Sequence, residues 1–146
     1  MKIKIDFPEQ VVFETEFIIG IWHINYGNHL DNSAPLQLAH EARLQWLKSL
    51  GLSEANIGKG IGTVMVDSAI NYLAEAFHGE KLKIQLAIEL ESSLSFRLYY
   101  KFVRTSDHKP IAVVTTRMVG FDYKRRRPVP LPKEFIEKIN QSLKEN

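Results

Sequence analysis

The 146-residue chain contains no cysteine, which excludes disulfide bonds, thiolate nucleophiles and thiolate-bound metals. No apolar run approaches the ~18 residues that a membrane-spanning helix needs, so no membrane partner is predicted. The N-terminal stretch MKIKIDFPEQ lacks the apolar core of a secretory signal. We therefore expect a single domain over residues 1–146, located in the cytoplasm.

Net charge is also small, because the formal value at pH 7 is only +2. Together with the lack of a recognition-helix or RNA-binding aromatic pattern, this balance argues against a nucleic-acid partner. One basic run stands out, beginning with Lys124 and Arg125 and ending at Arg127. It is interpreted either as a solvated strand end or as an anion site for the phosphates of a CoA-type carrier.

The first half of the chain predicts a strand, a loop and a long helix. The strand stops at Gly20 and has apolar residues on one side: Val11, Phe13, Phe17 and Ile19. The next stretch, WHINYGNHLDNSAP, is dense in turn formers, which indicates an ordered loop. Ser33 then suits a helix N-cap, with Pro35 in the first turn. The helical pattern continues to Leu50, and Gly51 supplies a C-terminal stop.

The predicted helix carries a charged residue inside its apolar face. Spacing of three and four places Arg43 there with His40 beside it, among these apolar residues: Leu36, Ala39, Trp46, Leu47 and Leu50. Glu41 points to the opposite side. Because an unpaired buried guanidinium is costly, Arg43 needs a partner, and Asp31 is a candidate.

The second half of the chain predicts an antiparallel meander followed by a helix. Apolar residues alternate over residues 64–72, 82–90 and 94–102, and residues 111–121 are apolar on much of both faces. The first of these strands places four residues on one face: Val64, Val66, Ile70 and Tyr72. The last segment has helical spacing of Phe135, Ile136, Ile139 and Leu143. We predict an α+β fold in which a curved antiparallel sheet wraps around one long central helix, with a C-terminal helix added.

Candidate reactive groups concentrate in the loop and the start of the helix. They are His23, Asn25, Tyr26, Asn28, His29, Asp31, Asn32, His40 and Arg43. A loop that leads into a helix N-terminus presents backbone N–H groups, which suits the developing oxyanion of acyl transfer. We expect such donors near Gly27 and from Asn32 to Ala34. No HExxH or other ligand spacing is present, so no metal is predicted.

These residues carry a resemblance to a known family. The stretch HINYGNHLDN over residues 23–32, with HEAR over 40–43, resembles the motif of hotdog-fold thioesterases related to 4-hydroxybenzoyl-CoA thioesterase. The segments INYLAEAFHGEKLKI and FDYKRRRPVPLP resemble further parts of that family, so the resemblance covers nearly the whole chain. It implies a hotdog fold that hydrolyses acyl-CoA or acyl-carrier thioesters without a cofactor. It also implies a homodimer or homotetramer with active sites between subunits.

Four positions depart from the family motif. Asn25 stands where the family carries its catalytic Asp, and His23 replaces an outer Asp. Asn28 replaces the motif Gly, and His40 replaces the helix acid. Because an amide can neither deprotonate water nor form an acyl anhydride, we hypothesise attack by water that a histidine activates. His40 or His29 is the base, with His23 as a third option, and Asn25 orients the water or polarises the carbonyl.

Several of the candidate residues also have a purely structural interpretation. His29 and Asn25 suit a turn, His40 suits a hydrogen bond to the loop, and Tyr72 suits the core. Substrate contacts are predicted for Gly27, Asn32, Arg43, Tyr72, Lys124 and Arg125. Two other functions stay open. One is a non-catalytic module that binds acyl thioesters or fatty acids, which the missing acid favours. The other is an enoyl- or hydroxyacyl-thioester hydratase or dehydratase, although the loop motifs of those enzymes are absent.

Overall fold

Alternating apolar residues build one antiparallel sheet from the strands β1 (Phe13–Ile18), β2 (Gly62–Tyr72), β3 (Lys81–Leu90), β4 (Ser95–Arg104), β5 (Pro110–Asp122) and β6 (Arg127–Pro128). Their order across the sheet is β1-β3-β4-β5-β2, and β6 pairs with β5. The structure is a computed structural model that describes residues 3–145. Residues 1, 2 and 146 of the predicted domain lie outside it. Every second side chain is buried along β4, as the predicted meander requires.

The long helix α1 (Ala34–Ser49) packs against the inner face of this sheet. Ser33 is its N-cap residue, and Gly51 adopts φ +75° just after its end, as the turn signals predicted. Its buried side chains share one core with the inner residues of the strands, such as Ile84, Leu98 and Phe102. Full burial of a large apolar side chain stabilises the fold by about 1.5–3 kcal/mol. The predicted α+β hotdog architecture is confirmed.

A β-bulge at Val66 changes which side chains of β2 face the core. The register with β5 shifts between Met65 and Asp67, so one extra residue is inserted. Met65 packs against the core before the bulge and Ile70 after it, while Val66 is 53% exposed. The prediction that residues 64, 66 and 70 share one face is therefore wrong, because the insertion shifts the alternation by one position.

The segment before β1 is tied to the end of β2 by one side chain. The Asn71 amide donates from Nδ2 to the Ile3 carbonyl at 2.6 Å. Its Oδ1 accepts from the Ile5 N–H at 2.8 Å. The Asn71 side chain thus holds the N-terminal backbone beside the end of β2, next to Leu73.

The C-terminal helix α2 (Lys133–Glu145) closes one end of the core. Its buried residues are Phe135 and Ile139, and the Phe135 ring lies 5.0 Å from that of Phe96 and 6.4 Å from that of Trp46. The predicted C-terminal helix is confirmed. Over residues 3–145, no helix combines the length and the apolar character that crossing a membrane requires.

Candidate active site

Tight hydrogen-bonded turns shape the loop between β1 and α1. Ile24 and Leu30 form an antiparallel bridge, and the Asn25 N–H donates to the His29 carbonyl at 3.1 Å. Asn28, at the tip, adopts φ +65°, and its N–H donates to the Asn25 carbonyl. Asn tolerates this left-handed conformation far better than most residues, which explains how it replaces the Gly of the family motif.

A cavity of about 700 Å³ opens between this loop and the end of β2. Its volume lies within the range of small-molecule sites in proteins. The Tyr72 hydroxyl donates to the Asn32 carbonyl at 2.5 Å, which ties the end of β2 to the start of α1. Four residues predicted to be catalytic or to contact substrate line this cavity: Asn25, His29, Asn32 and Tyr72. The lining is Asn25, Tyr26, His29, Leu30, Asp31, Asn32, Pro35, Tyr72, Leu73, Ala74, Glu75, Ile111 and Ala112.

Asn25 and His29 flank Gly27 on the cavity side of the loop. The Gly27 N–H donates to Asn25 Oδ1 at 2.9 Å, so Nδ2 of the amide remains as a donor. His29 Nδ1 lies 3.1 Å from the Leu30 carbonyl, which can only accept, so Nδ1 carries the proton and Nε2 the lone pair. A Cβ on Gly27 would lie 3.3 Å from both Asn25 Oδ1 and His29 Nε2. The missing Cβ therefore leaves room between an amide and an imidazole.

Most of the backbone donors expected for an oxyanion are already engaged. The Ser33 N–H donates to Asp31 Oδ2 at 3.0 Å, and the Ser33 hydroxyl bonds to the same oxygen. The Ala34 N–H donates to the Asp31 carbonyl. The hydrogen bonds from Ser33 hold the pKa of the Asp31 carboxyl below its usual range. Asp31 therefore closes a turn directly before α1, and Asn25 Nδ2 is a donor still available to an oxyanion.

His40 lies on the other flank of α1, in a groove of about 360 Å³. The groove is lined by Ser33, Leu36, Gln37, His40, Arg43 and Met65. His40 Nε2 donates to Glu54 Oε1 at 2.7 Å, and Arg43 Nε donates to Glu54 Oε2 at 3.0 Å. Buried Arg43 also donates from Nη1 to the Tyr100 hydroxyl at 3.1 Å. The prediction of Asp31 as the partner of Arg43 is wrong, because the Asp31 carboxylate bonds to Ser33 in the turn before α1.

Glu54 is the site residue that the sequence analysis missed. It follows α1 in the turn-rich link GLSEANIGKGIG, where no periodic pattern marks it. The need of buried Arg43 for an acceptor was the available signal, but Asp31 was the one candidate named for it.

His23, the third histidine of the loop, is 4% exposed and is absent from the cavity lining. Its Nδ1 accepts the Gly20 N–H at 3.1 Å. The ring packs against Phe17 and Trp22, with centroid distances of 5.2 and 5.3 Å. Burial lowers the pKa of His23, because it disfavours the charged form of the ring.

The basic residues Lys124 and Arg125 lie far along the sheet from the cavity. Both donate their backbone N–H to Asp122 Oδ1 in the turn between β5 and β6. In the ladder of β2 and β5, Tyr72 pairs with Ala112 near the cavity, and Gly62 pairs with Phe121 near this turn. The ten residues of strand between these two pairs correspond to roughly 30 Å, which separates Lys124 and Arg125 from the cavity of the same chain.

Comparisons with known proteins identify the family of this chain. A model of the thioesterase-like superfamily matches residues 19–139. A 1,4-dihydroxy-2-naphthoyl-CoA hydrolase from Picosynechococcus is 32% identical over 104 residues, which cover 66% of this chain and 70% of the relative. A protein of the same name from Synechocystis is 30% identical over 102 residues, 68% of this chain and 74% of the relative.

Solved structures show the same fold. A 1,4-dihydroxy-2-naphthoyl-CoA thioesterase from Synechocystis has a TM-score of 0.81 at 25% identity, over 88% of this chain and 95% of that one. A Staphylococcus aureus protein solved in complex with CoA has a TM-score of 0.82 at 18% identity, over 97% of this chain and 89% of that one. The class that fold and relatives define is the hotdog-fold thioesterase, so the predicted enzyme class, a thioester hydrolase, is confirmed. The chain belongs to the thioesterase-like superfamily.

Proposed function

We propose that this protein hydrolyses acyl-CoA thioesters by attack of a water molecule that a histidine activates at the start of α1. The observation that carries the proposal is the cavity of about 700 Å³ that brings Asn25, His29 and Asn32 together. Its apolar side, formed by Leu73 and Ile111, accepts the acyl group. The named relatives act on an aromatic acyl-CoA, so an aromatic acyl group is the first substrate to test.

The chemistry uses two functions that the site offers. The imidazole takes a proton from water as the water oxygen bonds to the thioester carbonyl carbon. Asn25 Nδ2 donates to the oxyanion that forms. Collapse of this intermediate breaks the C–S bond, and the thiolate leaves with the proton from the imidazolium. The products are a carboxylic acid and free CoA thiol, and no cofactor is consumed.

The two flanks of α1 each offer one imidazole with a free lone pair. His29 shares the cavity with Asn25, whereas His40 lies in the groove on the other flank. If His40 is the base, Asn25 of the same chain is on the wrong side of the helix to assist it. The site is then shared, with His40 from one copy and Asn25 from a second.

We propose that a homodimer formed through the free edge of β2 allows this sharing. A two-fold axis that pairs two β2 strands antiparallel aligns the Gly62 end of one copy with the Tyr72 end of the other. The turn with Lys124 and Arg125 of one copy then lies beside the cavity of its partner, where it can meet the carrier phosphates. The homo-oligomer, these contacts and the cytoplasmic location remain predictions.

A panel of acyl-CoA substrates tests the proposal. The panel includes 1,4-dihydroxy-2-naphthoyl-CoA, benzoyl-CoA and aliphatic acyl-CoAs of several lengths. We expect wild-type turnover of at least one thioester, and a loss of roughly 10²- to 10⁴-fold when the base is removed by His29→Ala or His40→Ala. Asn25→Ala also lowers kcat. Full wild-type rates in all three variants would contradict the mechanism.

A binding module is the second candidate, and Asn25 is the observation that favours it. An amide there removes the carboxylate that the family motif provides. Saturable binding of an acyl-CoA without release of free thiol would support this alternative. In that case Asn25→Asp is the variant in which turnover should appear.

A further inference from the structure

We propose that Glu54 is a positioning residue that makes His40, rather than His29, the general base of the hydrolysis. This inference rests on the proposed function and names the base that it leaves open. It is drawn from the contacts of one carboxylate with two side chains of α1 and from the backbone that holds this carboxylate in place.

The Glu54 carboxylate is fixed from two directions. The backbone carbonyl of Glu54 accepts the Thr63 N–H at 2.9 Å, which joins the residue to the start of β2. Its Oε2 accepts Arg43 Nε at 3.0 Å. Arg43 is only 5% exposed, and its Nη1 donates to the Tyr100 hydroxyl, which is fully buried. Because this anchor is enclosed in the core, Oε1 presents one defined acceptor to the groove.

That acceptor determines which nitrogen of His40 is the base. A carboxylate paired with a guanidinium can only accept hydrogen bonds, so Nε2 of His40 carries the proton in the 2.7 Å contact with Oε1. The lone pair is then on Nδ1, to which no residue between 3 and 145 donates a hydrogen bond. The His40 side chain is 53% exposed, so water reaches it.

Glu54 also distinguishes His40 from His29. The proton on His29 Nδ1 faces the neutral carbonyl of Leu30. The proton on His40 Nε2 faces a carboxylate, which stabilises the positive charge that develops as the imidazole takes a proton from water. A base whose far nitrogen is oriented by a carboxylate is the arrangement that hydrolases use to activate water or a nucleophile.

A purely structural role for Glu54 gives a different expectation. In that case the carboxylate only neutralises Arg43, and the contact with His40 has no bearing on catalysis. Replacement of Glu54 would then lower the stability of the fold and leave kcat unchanged, even where the His40 proton moves. The test therefore reads kcat together with the protonated nitrogen of His40.

Glu54→Gln separates the two roles in the full-length protein. The single carbonyl oxygen of Gln must serve buried Arg43, so its amide NH₂ group faces His40 Nε2. We expect the His40 proton to move from Nε2 to Nδ1, observed in ¹⁵N NMR spectra of the imidazole. The base then loses its lone pair on Nδ1, and kcat falls by about tenfold to a hundredfold while KM stays within about twofold.

Two variants serve as controls. Glu54→Asp keeps the charge, so it retains the Nε2–H form and recovers part of kcat. Glu41→Gln removes a carboxylate next to His40 in sequence, but Glu41 bonds to Gln45 on the exposed side of α1, so neither readout changes. Should Glu54→Gln fail to fold, the wild-type spectrum still decides, because an Nδ1–H form of His40 overturns the inference.

The outcomes distinguish this inference from the function on which it rests. Wild-type turnover that Glu54→Gln retains in full overturns the role of Glu54 alone. Loss of activity in His29→Ala with full activity in His40→Ala also overturns it, and leaves hydrolysis intact. Absence of turnover for every thioester of the panel in the wild-type protein overturns the proposed function, and the role of His40 as base with it.

Discussion

The two flanks of α1 each hold a histidine, and they differ in what fixes the imidazole. On the cavity side, backbone turns hold the ring, since His29 bonds to the Leu30 carbonyl within a loop of short-range contacts. On the groove side, charge holds it, since His40 bonds to Glu54 and through it to buried Arg43. One flank depends on backbone conformation and the other on an ion pair whose guanidinium is buried, so each responds to a different kind of substitution.

The largest expected effect on activity comes from complementation between two variants that are each defective in a different residue. Co-expressed His40→Ala and Asn25→Ala chains form mixed dimers in which one site has both defects and the other has none. If His40 of one copy works with Asn25 of the other, the mixed dimer recovers up to about half of wild-type activity, a gain of roughly 10²-fold over either variant. The measurement is kcat of differently tagged, co-purified dimers. Activity no higher than that of the separate variants would place both residues in one chain.

The groove side should be the more sensitive to loss of charge. Arg43→Met leaves Glu54 without its guanidinium, and removal of one partner from a buried pair costs about 3–5 kcal/mol. The Glu54 side chain is 28% exposed, so we expect about 2–3 kcal/mol, measured by urea unfolding. Lys48→Met, on the exposed side of the same helix, is the matched control. Equal effects of the two substitutions would show that the ion pair adds nothing to stability.

The cavity side should be sensitive to backbone conformation. Asn28 adopts φ +65°, so Asn28→Ala costs about 1 kcal/mol, while Asn28→Gly changes the unfolding free energy by only a few tenths. Denaturant titration of both variants measures the difference. An Ala variant as stable as the Gly variant would mean that the loop tip relaxes to another conformation.

The smallest effect concerns pH and the buried ring of His23. Its pKa is lowered by burial, so below the ordinary value of 6.5 the unfolded chain takes up a proton before the folded chain does. Stability from this group is therefore complete above pH 6.5 and declines as the pH falls towards the lowered folded value. His23→Asn keeps an acceptor for the Gly20 N–H but does not titrate. Its unfolding free energy should fall less steeply than that of the wild type below pH 6.5, and parallel curves would contradict this.

The sequence predicted those elements whose residues repeat at a regular spacing. The alternation of Leu82, Ile84 and Leu86 and the helical spacing of α1 both report which face is buried, so the sheet and its central helix followed. The bulge at Val66 escaped because the inserted residue is apolar and continues the pattern along β2. Tyr72, for which a core position was one interpretation, is 57% exposed at the end of that strand.

The candidate site was predicted less completely, because its contacts join residues from separate turns. The motif located Asn25 and His29, which share one loop and line one cavity. It did not locate Glu54, which lies 11 residues from Arg43 and 14 from His40 in sequence and meets them only after the chain reverses behind α1. Asp31 was the acid chosen as the partner of Arg43, but its carboxylate bonds to Ser33 in the turn before α1.

The anchor at Asn71 has a consequence for the order of folding. Its hydrogen bonds join residues that are 66 and 68 positions apart, so the N-terminal segment can dock only after β2 has been placed in the sheet. We expect this contact, which forms late and is held by two hydrogen bonds at the end of the sheet, to open before the core does. A fluorophore attached near Ile3 would therefore report local opening beside Leu73 at denaturant concentrations where the core of α1 and β4 is still intact.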